Sequence, residues 1–322
     1  MMQGRGCRGL MAGGVLWGAV VGTALAQTAP GPAAPSAPVP AVTSDFKTAD
    51  ELLAALETSN QDLVSLTADV KYDKTFEIQG DRQVRIGKVF YVVPISLTGA
   101  APRKKFAIRF DEMWVGGVKR PDGREYIFDG EWLLEKDPAE KDFNKRQVVP
   151  PGEHFDPLKI GEGPFVVPIG QRRADIEQRY TTELLPALAG LETPAAATEE
   201  ERKAAEAVRK DVEGSWQLKL LPRAQFAEQE DLVEIRLWYK RGAKGDLLPR
   251  MARTVNKAGD VSVVLLINTE LQLAGQPENR AAIVPPQAVD TTPPAGWNGR
   301  IEPFRKAAGG EGKREGPDAG EE

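Results

Sequence analysis

Residues 125–137 read EYIFDGEWLLEKD. Asp129-Gly130 separates one short apolar run, Tyr126-Ile127-Phe128, from a second, Trp132-Leu133-Leu134. A tight hairpin turn needs a residue at positive φ, which glycine adopts without a Cβ penalty, so this stretch predicts a β-hairpin. Successive side chains of a strand point to opposite sides, and here both sides are bulky and apolar. Such a hairpin is either covered by ordinary core on each face, or has one face turned to a hollow kept apolar for a guest.

The same period recurs on both sides of the hairpin. Val64, Leu66, Ala68, Val70, Tyr72, Phe76 and Ile78 alternate with Thr67, Asp69, Lys71, Asp73, Thr75 and Glu77, which predicts a long strand, bent or broken near Lys74. Further strands are expected at 87–93, 104–110, 143–149, 215–222, 231–240, 247–255 and 260–268. Their connections are mostly too short for crossover helices, so the sheet should be antiparallel. Thr48 and Glu51 have capping-box spacing at a helix start, and Ala49, Leu52, Leu53, Leu56 and Leu63 follow at helical spacing. Ile169, Ile176 and Tyr180, after Pro168, predict one or two short helices. Residues 198–214 predict a charged helix with little apolar face, part of an exposed helical insertion at about 181–213. The expected fold class is α+β: a single strongly curved antiparallel sheet of about 10–11 strands, an open or half β-barrel, with helices covering its concave face as a lid.

The termini bear on location. Arg5 and Arg8 precede an apolar run from Leu10 to about Ala24, and Ala24-Leu25-Ala26 offers a small-residue cleavage site, the pattern of a secretory signal over 1–26. A retained membrane anchor is the rival reading. Residues 27–44 alternate proline with small residues and read as an extended linker. Residues 45–304 are expected to form the folded domain, and 305–322, charged and glycine-rich, a disordered tail. Cys7, the one cysteine, lies inside the signal, so the mature chain has no thiol for a disulfide, a metal site or a nucleophile. Net charge is −5, and two units lower once Arg5 and Arg8 leave. A mildly acidic chain without a basic stripe gives no support to nucleic-acid binding. The expected product is exported, periplasmic and monomeric.

Catalytic chemistry finds little foothold. His154 is the only histidine, and no second histidine or thiol is present to share a metal with it. Neither a GxSxG elbow nor a phosphate-cradling loop occurs. A carboxylate pair of the glycosidase kind is not singled out by any residue. No enzyme activity, catalytic residue, cofactor or metal is expected. The prominent feature is apolar. Leu66, Val70, Tyr72, Val89, Tyr91, Phe106, Ile108, Tyr126, Phe128, Trp132, Phe165, Trp216, Leu218, Leu220, Ile235, Leu237, Val263 and Leu265 are the candidates to line a cavity. Leu52, Leu53, Leu56, Ile169 and Ile176 are the candidates to line the underside of the lid. For any one of them a plain core position is the commoner role, and sequence leaves open which strand parity faces inward.

Several short motifs, in colinear order, resemble the LolA/LolB family of periplasmic outer-membrane lipoprotein carriers. Gly87-Lys88-Val89-Phe90-Tyr91 is similar to the start of its second strand. Asp129, Gly130, Leu133, Asp137 and Pro138 are similar to its hairpin, and 163–169 to the entry of its middle helices. Leu218-Lys219-Leu220-Leu221-Pro222-Arg223 and Pro294-Ala295-Gly296-Trp297 resemble a later strand and the closing segment. The resemblance covers roughly 46–300. It implies an open β-barrel whose hollow, lidded by helices, carries the acyl chains of lipidated proteins or related lipids. The implied partners are inner-membrane release machinery and an outer-membrane acceptor. An envelope stress-sensor or scaffold module that binds a membrane-associated protein is the alternative. The family's Arg-Pro step after the second strand is missing: Val92-Val93-Pro94 stands there, and Arg103 does not match the motif.

Overall fold

A computed structural model describes residues 46–94, 103–150, 160, 166, 167, 169, 172–193, 198–242 and 245–304. The signal, linker and tail expected at 1–26, 27–44 and 305–322 lie outside the described residues, as do Phe165 and His154. The hairpin forms where expected. Gly130 takes φ 103°, and the Asp129 carboxylate accepts from the amides of Glu131 (3.0 Å) and Trp132 (2.8 Å), locking the turn.

In chain order the elements are α1 (Ala49–Gln61), β1 (Leu63–Phe76), β2 (Asp81–Val92), β3 (Lys105–Val115), β4 (Val118–Pro121), β5 (Glu125–Phe128), β6 (Trp132–Asp137) and β7 (Asp142–Gln147). Then come α2 (Arg173–Arg179), β8 (Tyr180–Pro186), α3 (Glu199–Val212), β9 (Trp216–Pro222), β10 (Leu232–Arg241), β11 (Leu247–Asn256), β12 (Val261–Leu273) and β13 (Asn298–Glu302). All 13 strands join one sheet in the order β13-β7-β6-β5-β3-β2-β1-β12-β11-β10-β9-β8, with β4 added on β3. The pairings are antiparallel except β13 on β7. β13 and β8 are the two ends of the path and do not pair, so the sheet stays open. Bulges at Thr67/Asp69, Ile86/Gly87 and Trp238/Tyr239 bend it. The fold class is thus α+β, a large, unclosed, mostly antiparallel sheet with few helices.

Three expectations change. β1 runs unbroken through Lys74, and the chain turns only afterwards, with Gly80 at φ 67°. Part of the expected helical insertion, 181–186, lies in strand β8. Its threonines favour extended backbone, and Pro186 is tolerated because β8 is an edge. β4, β8 and β13 raise the strand count from the 10–11 expected to 13.

α3 is also less free than its charge predicts. Val212 at its C-terminal end is fully buried, and Val208 packs beside it, against Trp238, Met251 and Leu265. Its N-terminus carries a complete capping box between Thr198 and Glu201. α3 therefore covers the outer face of β10–β12. The outer face of β3, β5 and β6 is covered by the chain after β12: Val284 and Val289 pack on Ile127, Leu134 and Ala107.

Candidate functional site: an apolar hollow under a helical lid

Register decides which residues look inward. Phe128 pairs with Leu133 and Phe106, while Ile127 pairs with Leu134 and Ala107. The first set joins the main apolar cluster and the second the outer one. The hairpin is bulky on both faces because each face is covered, one by the interior and one by the C-terminal segment.

The main cluster is continuous across the sheet. Leu66, Val70, Val89, Tyr91, Phe106, Ile108, Phe128, Leu218, Leu220, Ile235 and Leu237 are buried in it, and Tyr72, Tyr126 and Trp216 pack at its edges. Leu52, Leu53 and Leu56 of α1, with Ile169 and Ile176, lie in the same cluster and cover it. Three expected positions lie elsewhere. Val263 and Leu265 face outward beneath α3, and Trp132 lies on the outer parity with Lys145 Nζ 5.2 Å above its ring. From Val263 to Ile267 every residue is apolar, so parity was not readable there. The inner residues of β12 are Val264 and Leu266, opposite Tyr72 and Val70. After Asn268, which takes φ 52°, the inward set becomes Leu271 and Leu273. Phe110, Leu133, Tyr180, Tyr239 and Leu247 were not among the cavity candidates and belong to the same interior.

A narrow cleft separates the end of α1 from the sheet, between Leu56 and Ile169 on the lid side and Leu66, Tyr239, Leu247 and Leu271 on the sheet side. It has room for about 10 Å³, no more than a single water. Leu271 and Leu273 also line a more polar cavity of about 220 Å³ next to it, with Asp246, Glu270 and Asn279 on its walls. The lid is thus closed here, on a seam that leads outward. Burial pushes the Tyr239 phenol, at this seam, far above its ordinary range.

The opposite end of the hollow is different. Arg85, paired across the ladder with Tyr72, turns to the inner face, its guanidinium carbon 5.8 Å from the Phe110 ring centroid. Its Nε lies 3.3 Å from Asp122 Oδ2, and Asp122 is only 8% exposed. Burial pushes the Asp122 carboxyl up, against the opposing pull of Arg85 and Arg124. The Tyr72 and Ser262 hydroxyls lie 3.3 Å apart, and Tyr126 stacks edge-on to Phe110. Among the described residues no group of three His, Cys, Asp or Glu is placed to hold a metal.

No family model matches the chain, and neither does any curated protein. Solved structures do match at low similarity. A LolA superfamily protein from Nitrosomonas europaea is 12% identical, with 70% of this chain and 94% of that one covered, at a TM-score of 0.28. A domain from Vibrio parahaemolyticus with a proposed role in outer membrane lipoprotein sorting is 11% identical, covering 71% and 93%, at 0.33. A DUF1329 family protein from Desulfovibrio piger is 12% identical, covering 72% and 97%, at 0.35. The chain is similar to these proteins; superpositions this loose carry no argument about its chemistry.

Proposed function

We propose that the chain is a carrier that takes up the acyl chains of a lipidated protein or a related lipid in its hollow and releases them at a membrane. One observation carries this reading: a continuous apolar inner face whose helical cover is held by contacts that an acyl chain could replace. Among the described residues, α1 is tied to other elements by one ion pair, Asp50 with Arg173 at 3.9 Å, and both partners are accessible. The rest of its attachment among the described residues is apolar: Leu52, Leu53 and Leu56 are buried in the main cluster, and Ala49 and Ala55 pack against it. Three buried leucines stabilise the closed lid by roughly 5–9 kcal/mol. A twelve-carbon chain gains about 10 kcal/mol at ~0.8 kcal/mol per CH₂. The two are close enough for cargo to displace the lid and for the lid to expel cargo. Apolar contact suits both steps because it demands no fixed geometry.

No helix among the described residues is long and apolar enough to cross a membrane. The carrier reading places the protein in the periplasm, receiving cargo from inner-membrane release machinery and passing it to an outer-membrane acceptor, without catalysis. Solvent extraction and mass spectrometry of the purified protein should recover a lipid, and delipidated protein should bind a fluorescent acyl probe. Recovery of no lipid together with no probe binding overturns the reading.

The small volume of the cleft favours one second reading, a scaffold or sensor module that binds a membrane-associated protein. Ile78, Trp114 and Val118 remain exposed near the β1–β2 and β3–β4 turns and offer such a contact. Partner capture that survives filling the hollow by Val70→Trp would support it over the carrier.

A further inference from the structure

The far end of the hollow is built unlike the rest of it. Along β1, Tyr72 lies six residues beyond Leu66, roughly 20 Å from the lid end at strand rise. There the inner face, apolar elsewhere, carries a charged side chain: Arg85 stands beside Tyr72, Phe110 and Tyr126. A guanidinium carries five N–H donors in a planar fork. Arg85 spends its charge on Asp122, yet its Nε and Asp122 Oδ2 are both buried without a hydrogen-bond partner; the 3.3 Å contact between them lacks hydrogen-bond geometry. Orphaned buried polar atoms are rare in native structures and call for a physical account. Arg124 lies 3.7 Å from Asp122 and is itself paired with Asp137 at 3.0 Å.

We infer that Arg85 is the recognition group for an oxyanion head, a carboxylate or phosphate borne on the end of an acyl chain that lies along the hollow. Asp122 is its placeholder when the hollow is empty. The head exchanges one anionic partner of Arg85 for another and supplies the aligned hydrogen bonds that Asp122 does not. The Tyr72 and Tyr126 rings form a collar with an apolar body and a polar tip, matched to the junction of chain and head. This inference rests on the carrier reading and narrows it: the cargo is an anionic amphiphile, bound head-inward and distal to α1.

The test compares dodecanoate, dodecanol and dodecyl phosphate, with free inorganic phosphate as a control, by calorimetry on the full mature chain. Wild type should bind both anionic amphiphiles at least about tenfold more tightly than the alcohol, the size expected of a charge-assisted hydrogen-bond pair. Free phosphate should bind at least a hundredfold more weakly than dodecyl phosphate. Arg85→Gln should abolish the preference while leaving dodecanol affinity within about threefold. Because R85Q strands Asp122, the double variant R85Q/D122N removes both charges and should behave the same way in a stably folded background. Equal affinity for acid and alcohol in wild type, or a preference that survives in the double variant, overturns the inference and leaves the carrier reading standing. Tight binding of free phosphate alone also overturns it, since the site would then serve a soluble ion. Failure of every amphiphile to bind overturns the carrier reading and this inference with it.

Discussion

Replacing Gly87 by alanine tests the architecture of the hollow at its tightest point. At Gly87 the ladder between β2 and β3 slips by one residue: Gly87 faces Phe110, Ile86 faces Glu112, and Asp111 is left as the extra residue. A Cβ at position 87 would lie 1.8 Å from the carbonyl oxygen of Arg109, 2.7 Å from its carbonyl carbon and 2.8 Å from Cα of Phe110. All three atoms are backbone, so no side chain can swing away. Reaching even a 3.0 Å contact separates the strands by more than about 1 Å, which overpacks the inner face at a cost of ~1–3 kcal/mol. It also stretches the two flanking ladder bonds, each contributing ~1 kcal/mol. The expected loss is about 3–5 kcal/mol, or a fall in Tm of at least about 6 °C for a domain of this size. Gly80→Ala is the matched control. No atom lies within 4 Å of its added Cβ, so only the left-handed φ of 67° is penalised, by about 1 kcal/mol. Calorimetric melts of the two variants read the difference. If G87A melts within about 2 °C of wild type, or no lower than G80A, the close approach of β3 to β2 is not as described.

Three further outcomes follow from buried groups. Val212→Ala removes two methyls from the α3–sheet contact and should cost about 2 kcal/mol with a red shift in Trp238 emission; a cost under about 0.5 kcal/mol would mean that α3 does not dock. Arg179→Met leaves Glu230, 4% exposed, without its ion-pair partner and should cost about 3 kcal/mol, more than half of it recovered in R179M/E230Q. A double-mutant cycle with no coupling would refute that pairing. Burial raises the phenols of Tyr72 and Tyr239 above the ordinary 10.0. The folded state therefore holds these protons more tightly than the unfolded chain, so their contribution is complete below pH 10 and lost as pH rises above it. Phenolate absorbance should show at least two of the five tyrosines ionising only as the protein unfolds, and five freely titrating tyrosines would contradict the burial.

The sheet was legible wherever one face is wet. In β1 polar and apolar residues alternate from Val64 to Asp73, and Leu66, Val70 and Tyr72 lie in or against the main apolar cluster. In β12 both faces are buried, one under the lid and one under α3, so alternation vanishes and Val263 and Leu265 are assigned to the wrong side. The same physics explains Trp132. Its neighbour Leu133 faces inward, and a three-residue turn fixed by the Asp129 side chain sets that parity, which composition does not reveal. β8 was hidden for a different reason: Ile169, Ile176 and Tyr180 do share a helical period, but Ile176 belongs to α2 and Tyr180 already to the strand. Arg85 was invisible as an inner-face residue because on a half-exposed strand an arginine is expected to face water.

What distinguishes the inner cover of this sheet from its two outer covers is the kind of contact that holds it. On one outer flank the chain at 187–189 is fixed by Gln217 Nε2 donating to Ala189 O at 2.9 Å and Trp238 Nε1 donating to Ala187 O at 2.7 Å. On the other, Ser65 and Thr67 donate to the carbonyls of Ala282 and Ala281, both at 2.7 Å, and the Thr291 hydroxyl bonds to Asp129. Peeling either segment away strands buried polar groups, each costing ~1–3 kcal/mol with no compensation from an apolar ligand. Lifting α1 strands no such group among the described residues; it exposes leucines, and an acyl chain restores what they lose. Directional bonds thus fix the outside of the half-barrel, whereas α1, among the described residues, is held by apolar contact and one accessible ion pair, which makes α1 the part of the inner cover that can open at low cost. A cysteine pair engineered between Leu56 and Leu271, which line opposite sides of the cleft, would lock that cover. Acyl-probe binding should then be lost on oxidation and return on reduction, and a locked protein that still binds the probe would show that cargo enters by another route.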